Sequence, residues 1–584
     1  MGDQRFFQNP PLLTKLVVLF GLHFSLSAPS TATIARNIPP RGFNPCNGLQ
    51  CDMARIGEQA LKDLASSMVA TGLAAANYSW FNLDDGIISH RDSVTGELVA
   101  DTTAFPSGTL LPLAKHVNSL GLQLGAYTDR GEVTCEGRPG AKGYEAQDAA
   151  TWVSWGVQWL KSDSCSSSPD FSVALDEYTL MAQGLRATGV DVLFSLCGWF
   201  SGFASFSTVG VGDTWRVATD VPNLERFLQN IEGAAAASAF SGPGRGWPDV
   251  DMIGGHWSAS EETLHLAFIV TIGAPLLLSF NISNPGASTL PLETYLNPEL
   301  LAIHSDDPKP AVTKFLKYYA RVSGGPVTGI TTADNPGIPL DTAVPCDSHR
   351  ASFAWTPTSN GSAWGSLASA ALPGFCLGYW DTWSGACIDP LAVQLVPCTG
   401  AQSEGCPAGA RTWRYNASTA RLQGNFAWGG GTPSSPAPLL TWTGRVPGAL
   451  YVQSEGQGGL SQEQSWVVTP AVNSTPARAV TIASHTTGQC LGAPTAISST
   501  NVWARWLANG DVGLLFFNVG KDIADVTCDA ACFDLVTAGA PHTLWAARDV
   551  LARKAAGTID PLAGYTAVQL APRGGTLLLR LSPA

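Results

Sequence analysis

The chain has 584 residues, with 33 lysines and arginines against 46 aspartates and glutamates and a formal net charge of −13. A chain of this length has room for two or three domains. So acidic a protein is a poor partner for nucleic acid or for an anionic membrane, and we expect neither.

Residues 1–28 have the features of a secretory signal peptide. Arg5 and Lys15 precede the apolar stretch "LVVLFGLHFSLSA", whose small residues suit cleavage near Ala28. A buried N-terminal helix is the alternative, and the stretch is short for a membrane span. Thirteen cysteines and five Asn-X-Ser/Thr sequons fit the same oxidising route. We therefore expect a protein that is secreted, or that reaches the cell wall, vacuole or lysosome, with no membrane attachment after cleavage.

Between residues 35 and 325, β-rich runs alternate with helical patterns. This alternation is typical of βα units that form a parallel sheet. Eight such units favour a (β/α)₈ TIM barrel, an α/β fold, over an open doubly wound sheet. The predicted strands are Arg41–Asn44, Tyr78–Leu83, Leu122–Thr128, Val157–Ser162, Val192–Cys197, Trp215–Thr219, Asp249–Ile253 and Pro275–Phe280.

The composition changes after about residue 335, where helical periodicity fades and Gly, Ser, Thr, Pro and Trp become frequent. Residues 340–497 contain the motifs "FAW", "RTW" and "QSW" and repeat "CLG" at Cys376 and Cys490. We predict a β-rich insert here. Residues 498–584 contain alternating runs such as "VGLLFFNV", which are typical of antiparallel strands in a small C-terminal β-sandwich.

Charged side chains are predicted to gather at one end of the barrel. Side chains alternate across a strand, so Lys161 and Asp163 share one face near the C-terminal end of their strand. In a barrel that end forms the active site. The second predicted strand ends in Asp84 and Asp85, and the third ends in Tyr127. Arg216 and Asp220 share parity at the end of "WRVATD", and Asp249 and Asp251 share parity in "WPDVDM".

A single aspartate after a strand is commonly the N-cap of the next helix, but repetition on several strands indicates a shared site. Paired carboxylates with a lysine and an arginine fit glycoside hydrolysis, in which one carboxylate attacks or directs water and another protonates the leaving oxygen. Clustered aspartates could instead hold a divalent cation. Lys161, on the face of Asp163, argues against a crowded cation site. The cysteines also lack paired CxxC spacing, so we expect no metal and no cofactor.

Several stretches resemble the α-galactosidases (melibiases) of glycoside hydrolase family twenty-seven. They are "PPRGFN", "NLDDG", "FPSGTLLPLAKHVNSLGLQLGAYTDRG", "TCEGRPGAKGYEAQDAATWVSWGVQWLKSDSC", "LFSLCGW", "TWRVATD", "WPDVDM" and "GAPLLLSFNI" in the barrel. "VWARWLANGDVGLLFFNVG" and "PRGGTLLLRL" resemble the family's C-terminal β-domain. The resemblance implies a retaining enzyme that removes terminal α-linked galactose from oligosaccharides or glycoconjugates.

By position, the resemblance makes Asp163 the nucleophile and Asp220 the acid/base, with a disulfide between Cys135 and Cys165. It places eight residues around the sugar, namely Asp84, Asp85, Tyr127, Lys161, Cys197, Gly198, Arg216 and Asp251. Lys161 is expected to favour the ionised form of Asp163. The surroundings of Asp220 are expected to raise its pKa, because an acid catalyst must start protonated.

The chain departs from the family pattern at three positions. Cys46 stands where the family usually has tryptophan. Gly86 replaces a cysteine that commonly pairs near Cys51, so a Cys46–Cys51 bond is predicted. Gly198 replaces the glutamate that contacts the sugar 2-position. These changes leave the C4 and C6 side of the pocket as in the family, and they alter the 2-position and the hydrophobic wall.

Other functions remain open at this point. An α-N-acetylgalactosaminidase is favoured by the space that Gly198 and Ser201 would leave, and a β-L-arabinopyranosidase would need no C6 contact. A catalytically silent carbohydrate-binding protein is the alternative of another class, although a silent site would not need both Asp163 and Asp220. The 340–497 insert resembles a ricin-type β-trefoil, and a disulfide-bonded β insert without a ligand is its alternative.

Overall fold

The structure, a computed structural model, describes residues 37–168, 171–198, 210–218, 220–236, 241–284, 286, 288–306, 500–536 and 543–584, and short strands between residues 315 and 484. The predicted signal peptide lies outside these residues. None of the helices in the described part of the chain combines the length and the apolar character that crossing a membrane requires.

The first part of the chain is a (β/α)₈ barrel, as predicted. Its parallel strands follow the order β10-β1-β2-β5-β6-β7-β8-β9, and Ile253, just beyond β9, pairs with Leu278 of β10 to close the ring. The strands of this region are β1 Arg41–Phe43, β2 Trp80–Asn82, β3 Ile88–Arg91, β4 Leu98–Ala100, β5 Gln123–Asp129, β6 Val157–Asp163, β7 Leu193–Leu196, β8 Thr214–Arg216, β9 Trp247–Asp249 and β10 Leu276–Leu278. Strands β3 and β4 form a separate hairpin.

The last two barrel strands before β10 begin and end earlier than predicted. Strand β8 ends at Arg216, and β9 spans Trp247–Asp249 rather than starting at Asp249. The backbone leaves the strand conformation at Asp251, where φ is 81°. The predicted barrel strands were therefore right in number and order, and wrong in these boundaries.

Helices follow the strands and cover the barrel. They are α1 Met53–Ile56, α2 Glu58–Ala70, α3 Leu111–Ser119, α4 Glu145–Ser154, α5 Phe171–Ala187, α6 Leu224–Ala236, α7 Ala259–Ile272, α8 Leu292–Tyr295 and α9 Pro298–His304. Helix α7 begins with a capping box of Ser258 and Glu261 and ends at Gly273 in the left-handed conformation. Most of α7 is buried, and its Phe268 packs edge-on against Trp503 and Phe517 of the C-terminal domain. Because α7 packs against the barrel on one side and against the C-terminal domain on the other, apolar residues occur on all its sides.

Two antiparallel sheets form the C-terminal domain. A six-stranded sheet has the order β11-β22-β23-β28-β25-β26, and β24 pairs with β27. Buried side chains that include Phe516, Val526 and Phe533 form the core of this domain. The elements are β11 Phe315–Tyr319, β22 Thr500–Trp506, β23 Val512–Asn518, β24 Ala524–Cys528, α10 Ala530–Val536, β25 Trp545–Asp549, β26 Lys554–Ile559, β27 Tyr565–Leu570 and β28 Gly575–Pro583.

Strand β11 lies in the range expected for the barrel, yet it belongs to the C-terminal sheet. It pairs with β22 in antiparallel register, with Phe315 opposite Arg505 and Tyr319 opposite Asn501. The two ends of the insert therefore leave from neighbouring strands, as the two ends of a hairpin loop do.

The described strands of the insert form two antiparallel sheets, of order β15-β14-β13-β12-β21-β20 and β16-β17-β18-β19. Trp355, Trp413 and Trp466 of the three Trp motifs are the first residues of β12, β16 and β20. Trp355 and Trp413 are buried, and Trp413 Nε1 donates to the Leu377 carbonyl at 2.8 Å. The strands are β12 Trp355–Pro357, β13 Leu367–Ser369, β14 Phe375–Tyr379, β15 Val393–Pro397, β16 Trp413–Asn416, β17 Arg421–Gly424, β18 Leu439–Trp442, β19 Leu450–Gln453, β20 Trp466–Pro470 and β21 Val480–Ser484.

Candidate active site

Asp163, the last residue of β6, is held in a fixed orientation at the C-terminal end of the barrel. Its side chain is only 7% exposed. The Tyr127 hydroxyl donates to Asp163 Oδ2 at 2.9 Å, and the Ser164 amide donates to Oδ1 at 2.9 Å. Each oxygen thus has one donor, which fixes the plane of the carboxylate.

Lys161 lies between two carboxylates. Its Nζ is 3.7 Å from Asp163 Oδ2 and 3.5 Å from Asp84 Oδ2, and it lies 4.8 Å from the centre of the Tyr127 ring. Burial lowers the pKa of Lys161, but the charges of Asp84 and its other anionic neighbours outweigh burial and hold the pKa well above its usual value. The side chain therefore stays cationic and can donate to a bound hydroxyl.

Asp84 and Asp85 follow β2, and both are buried. Asn44 Nδ2 donates to Asp84 Oδ2 at 2.8 Å. The amides of Gly86 and Glu136 donate to Asp85 at 2.6 and 2.9 Å, while burial raises the pKa of the Asp85 carboxyl. Adjacent acids thus present acceptor oxygens from one strand end.

Arg216 joins two carboxylates on the opposite side of the site. Its Nη2 is 3.0 Å from Asp220 Oδ1 and 3.1 Å from Asp251 Oδ2. Asp251 is held in the strained left-handed region, where its carboxylate accepts from the amides of Val221 and Met252 at 2.8 Å. The unusual backbone therefore aims Asp251 at Arg216.

The other two predicted sugar contacts follow β7. Cys197 is buried, and its thiol lies 4.0 Å from Arg216 Nη1. Gly198 is the next residue and is also buried. Ser201 lies outside the described residues.

Both disulfides predicted near the site are present. Cys135 bonds Cys165, two residues after Asp163, and the Tyr127 hydroxyl lies 3.1 Å from Cys135 Sγ. Cys46 bonds Cys51, and the Cys46 amide donates to Asn44 Oδ1 at 2.9 Å. The second disulfide is thereby connected through Asn44 to Asp84.

The pKa shifts of the two central acids run opposite to the expectation. Burial raises the pKa of Asp163; Lys161 lowers it, as anticipated, but does not outweigh burial. For Asp220, partial burial raises the pKa, yet the charges of Arg216 and Lys161 and the hydrogen bond from Arg216 bring the net pKa below its usual value. The physical reason is that Arg216 Nη2 lies 3.0 Å from Asp220 Oδ1, so that its positive charge favours the ionised carboxylate.

Two residues that contribute to the site were missed as candidates. Asn44 orients Asp84, and Asp129 accepts the Cys165 amide at 2.7 Å beside Asp163. Both are polar residues at strand ends, and Asp129 has the same parity as Tyr127, so the parity argument could have found them. Within the described residues, Asp129 and Asp163 also form a group close enough for a cation with Cys135 and Cys165, but those sulfurs are bonded to each other and offer no thiolate.

Comparisons with known proteins identify the family of the chain. A family model described as Alpha galactosidase A matches residues 45–306. An α-galactosidase of Cyamopsis tetragonoloba is 35% identical over 274 residues, which cover 46% of this chain and 64% of that protein. An α-galactosidase of Coffea arabica is 33% identical over 275 residues, covering 46% of this chain and 70% of that protein. This chain thus spans less than two thirds of the length of the Cyamopsis protein.

Solved structures show a similar fold. The structure of an α-galactosidase from Saccharomyces cerevisiae with raffinose superposes with a TM-score of 0.56, covering 95% of this chain and all of that one, at 17% identity. An identity so low supports the fold alone, whereas the sequence relatives carry the family assignment. The chain therefore belongs to the α-galactosidase (melibiase) family.

Proposed function

We propose that the protein is a retaining glycoside hydrolase that removes terminal α-linked galactose from oligosaccharides or glycoconjugates. The observation that carries the proposal is the pairing of two carboxyls with two cations in one mouth of the barrel, Asp163 with Lys161 and Asp220 with Arg216. Relatives that are named α-galactosidases support the choice of sugar.

In the first step, the ionised Asp163 attacks the anomeric carbon, and the bond to the leaving oxygen breaks. Asp220 gives its proton to that oxygen. Arg216 favours the ionised form of Asp220, so a bound sugar must change this balance. A bound substrate displaces the water around Asp220, and its hydroxyls bind Arg216. The loss of hydration and the weaker attraction of Arg216 both raise the pKa of Asp220.

In the second step, water attacks the galactosyl ester, and Asp163 leaves as a carboxylate. Asp220 takes the proton from the water. Ester formation has removed the negative charge of Asp163, which lowers the pKa of Asp220 and suits it to act as a base. Two displacements at the anomeric carbon return the α configuration, so retention is the expected outcome.

The remaining residues would bind the sugar. Asp84 and Asp85 present acceptors toward the C4 and C6 hydroxyls in the family arrangement, and Lys161 supplies a donor. Hydrolysis of a panel of nitrophenyl glycosides that includes the α-galactoside, its 2-acetamido analogue and the β-L-arabinopyranoside tests the proposal. We expect the α-galactoside to be cleaved fastest, with α-galactose as the first product by NMR. A preference for the 2-acetamido sugar or for the β-L-arabinopyranoside would replace galactose by one of the alternatives. No cleavage of any would favour a silent binding protein.

Gly198→Glu is expected to raise kcat/KM for α-galactosides. The family glutamate accepts a hydrogen bond from the 2-hydroxyl, and one such charge-assisted bond contributes about 1.5 to 3 kcal/mol, roughly a 10- to 150-fold change. The same substitution should depress cleavage of 2-acetamido sugars by filling their space. Steady-state kinetics on both substrates checks the result.

Gly198→Ala is the matched control, because it adds a methyl group without an acceptor. It should not raise activity on α-galactosides. Unchanged activities on both substrates in Gly198→Glu would show that Gly198 does not face the 2-position.

We propose further that the insert is a carbohydrate-binding module of the trefoil type. The support is its internal repetition. Trp355 and Trp413 each open a meander of four consecutive strands, Trp466 opens a further hairpin, and the first strand pairs with the last through Trp355 and Val480. Such a β unit can close on itself, as a module with its own core must.

Replacing residues 320–500 by a two-residue Asn-Gly turn should abolish retention on immobilised lactose while preserving α-galactoside hydrolysis. The reason is that β11 and β22 already pair, so a short turn can join them. Affinity chromatography and kinetics on the full chain and the shortened chain check this expectation. If both chains are retained, the barrel site binds the matrix; if both flow through, the insert is structural.

A further inference from the structure

The turn that carries Asp163 is fastened to the neighbouring strand end by a buried carboxylate. Asp129 is the last residue of β5, lies opposite Asp163 in the parallel register, and is fully buried. Its Oδ1 accepts the Gly131 amide at 2.6 Å, and its Oδ2 accepts the Cys165 amide at 2.7 Å. Each oxygen thus binds a backbone amide on a different side of the junction between the two strand ends.

Other bonds fasten the same turn without placing a second carboxyl beside Asp163. The Arg130 amide donates to the Asp163 carbonyl at 3.0 Å, and Arg130 Nε donates to Ser164 Oγ at 2.8 Å. The Cys135–Cys165 disulfide closes the arrangement. The bonds made by Asp129 differ from these in that they bring a carboxyl close to the nucleophile: one Asp129 oxygen lies within 4.8 Å of an oxygen of Asp163. Two carboxyls at that distance in a buried site influence each other strongly.

We infer that Asp129 is a positioning residue for Asp163: it fixes the turn of the nucleophile through the Cys165 amide, and its own charge controls how readily Asp163 ionises. This inference rests on the proposed function, in which Asp163 is the nucleophile. Asn would keep the size of Asp129, but its NH₂ group would face one of the two amide donors. The substitution therefore removes one fastening bond and the charge together.

The electrostatic surroundings of the pair support this role. Burial and the charge of Asp163 raise the pKa of Asp129 to about 7. The nearby Arg130 lowers it only in part, since the Arg130 guanidinium pairs with Glu177 and also donates to the Ser168 carbonyl. The repulsion is mutual, so an ionised Asp129 disfavours ionisation of Asp163, and the two titrate as a pair. The other groups that face Asp163 are Lys161, Tyr127, Asp220 and, through Arg216, Cys197.

The charge of Asp129 changes with pH. Below a pH of about 7, Asp129 holds a proton and adds no negative charge beside the carboxylate of Asp163; above that pH, Asp129 ionises and the pair becomes doubly negative. Attack on an electrophilic sugar neutralises Asp163 and so relieves its repulsion with an ionised Asp129, and the reaction should therefore become faster as the pH rises through about 7. Asp129→Asn should remove that transition and lower kcat/KM about 10- to 100-fold, because the nucleophile is misplaced.

The test uses the full chain and a fluorinated galactosyl fluoride, which forms an ester with the nucleophile as fluoride leaves. Fluoride departs without a proton, so the inactivation rate reports Asp163 rather than Asp220. We expect the wild type to show a transition near pH 7 between pH 5 and 9, and Asp129→Asn to show none. Asp101→Asn is the matched control, because Asp101 also accepts two backbone amides, at 2.9 and 3.3 Å, but caps an exposed turn outside the site.

Different outcomes would overturn the role of Asp129 and the assignment of Asp163 as the nucleophile. Inactivation of the wild type without a transition near pH 7, or a transition that persists in Asp129→Asn, overturns the role of Asp129. If Asp129→Asn fails to fold, the wild-type profile alone decides. Peptide mapping that places the label on a residue other than Asp163 instead overturns the proposed nucleophile.

Discussion

Asp163→Asn is expected to lower kcat for α-galactosides by about 10,000-fold or more, because an amide cannot form the galactosyl ester and no other carboxylate occupies its position. The fold should be retained. Asn keeps the shape that accepts from the Tyr127 hydroxyl, although its NH₂ cannot accept from a second donor. Steady-state kinetics with a thermal melt measures both effects.

The stability of this variant also has a predicted direction. The folded-state pKa of Asp163 is raised, so its contribution to the free energy of unfolding is fully present at low pH and is lost as pH rises through that pKa. A neutral Asn loses nothing over this range. At neutral pH we therefore expect Asp163→Asn to unfold at a temperature no lower than the wild type, with Asp101→Asn as the surface control.

The product of chemical rescue identifies the role of Asp163. In Asp163→Gly, azide can enter the vacated space and attack the anomeric carbon directly, while the aglycone leaves with the proton of Asp220. One displacement gives β-galactosyl azide. Formation of the α anomer, or full activity of Asp163→Asn without azide, would show that another residue is the nucleophile.

Asp220→Asn is expected to lower kcat/KM by about 100- to 10,000-fold for galactosides with poor leaving groups, because the proton donor is lost. Dinitrophenyl galactoside should lose much less, since its leaving group needs no proton. Its kcat should then be limited by the second step, which lacks a base. Comparing the two substrates in the wild type and the variant measures the contrast.

Azide again separates the roles. With Asp220→Asn, azide attacks the galactosyl ester on Asp163 from the opposite face, so that two displacements give α-galactosyl azide. The fold should barely change, because Asn keeps the size of the largely exposed Asp220 side chain and Arg216 keeps its ion pair with Asp251 at 3.1 Å. An equal loss for both leaving groups would mean that Asp220 binds the sugar rather than transfers a proton.

The sequence alone predicted the barrel and the location of its site, for local reasons. Alternating strand and helix patterns specify the order of elements, and the two-residue period of a strand places Lys161 and Asp163 on one face. Such a relation needs only the strand assignment. Asp220 lies beyond the end of β8, and its ion pair with Arg216 brings the two side chains together.

Only the tertiary structure decided how these groups act on each other. The pKa directions of Asp163 and Asp220 depend on burial and on which carboxylates Arg216 approaches, and residues distant along the chain determine both. The left-handed backbone of Asp251 ended β9 early, although the residue pattern continued. Strand β11 pairs with β22 across an insertion of 180 residues between Tyr319 and Thr500, and no local pattern encodes a partner at that distance. Long-range contacts thus set charge state and pairing, whereas local periodicity set the order of elements.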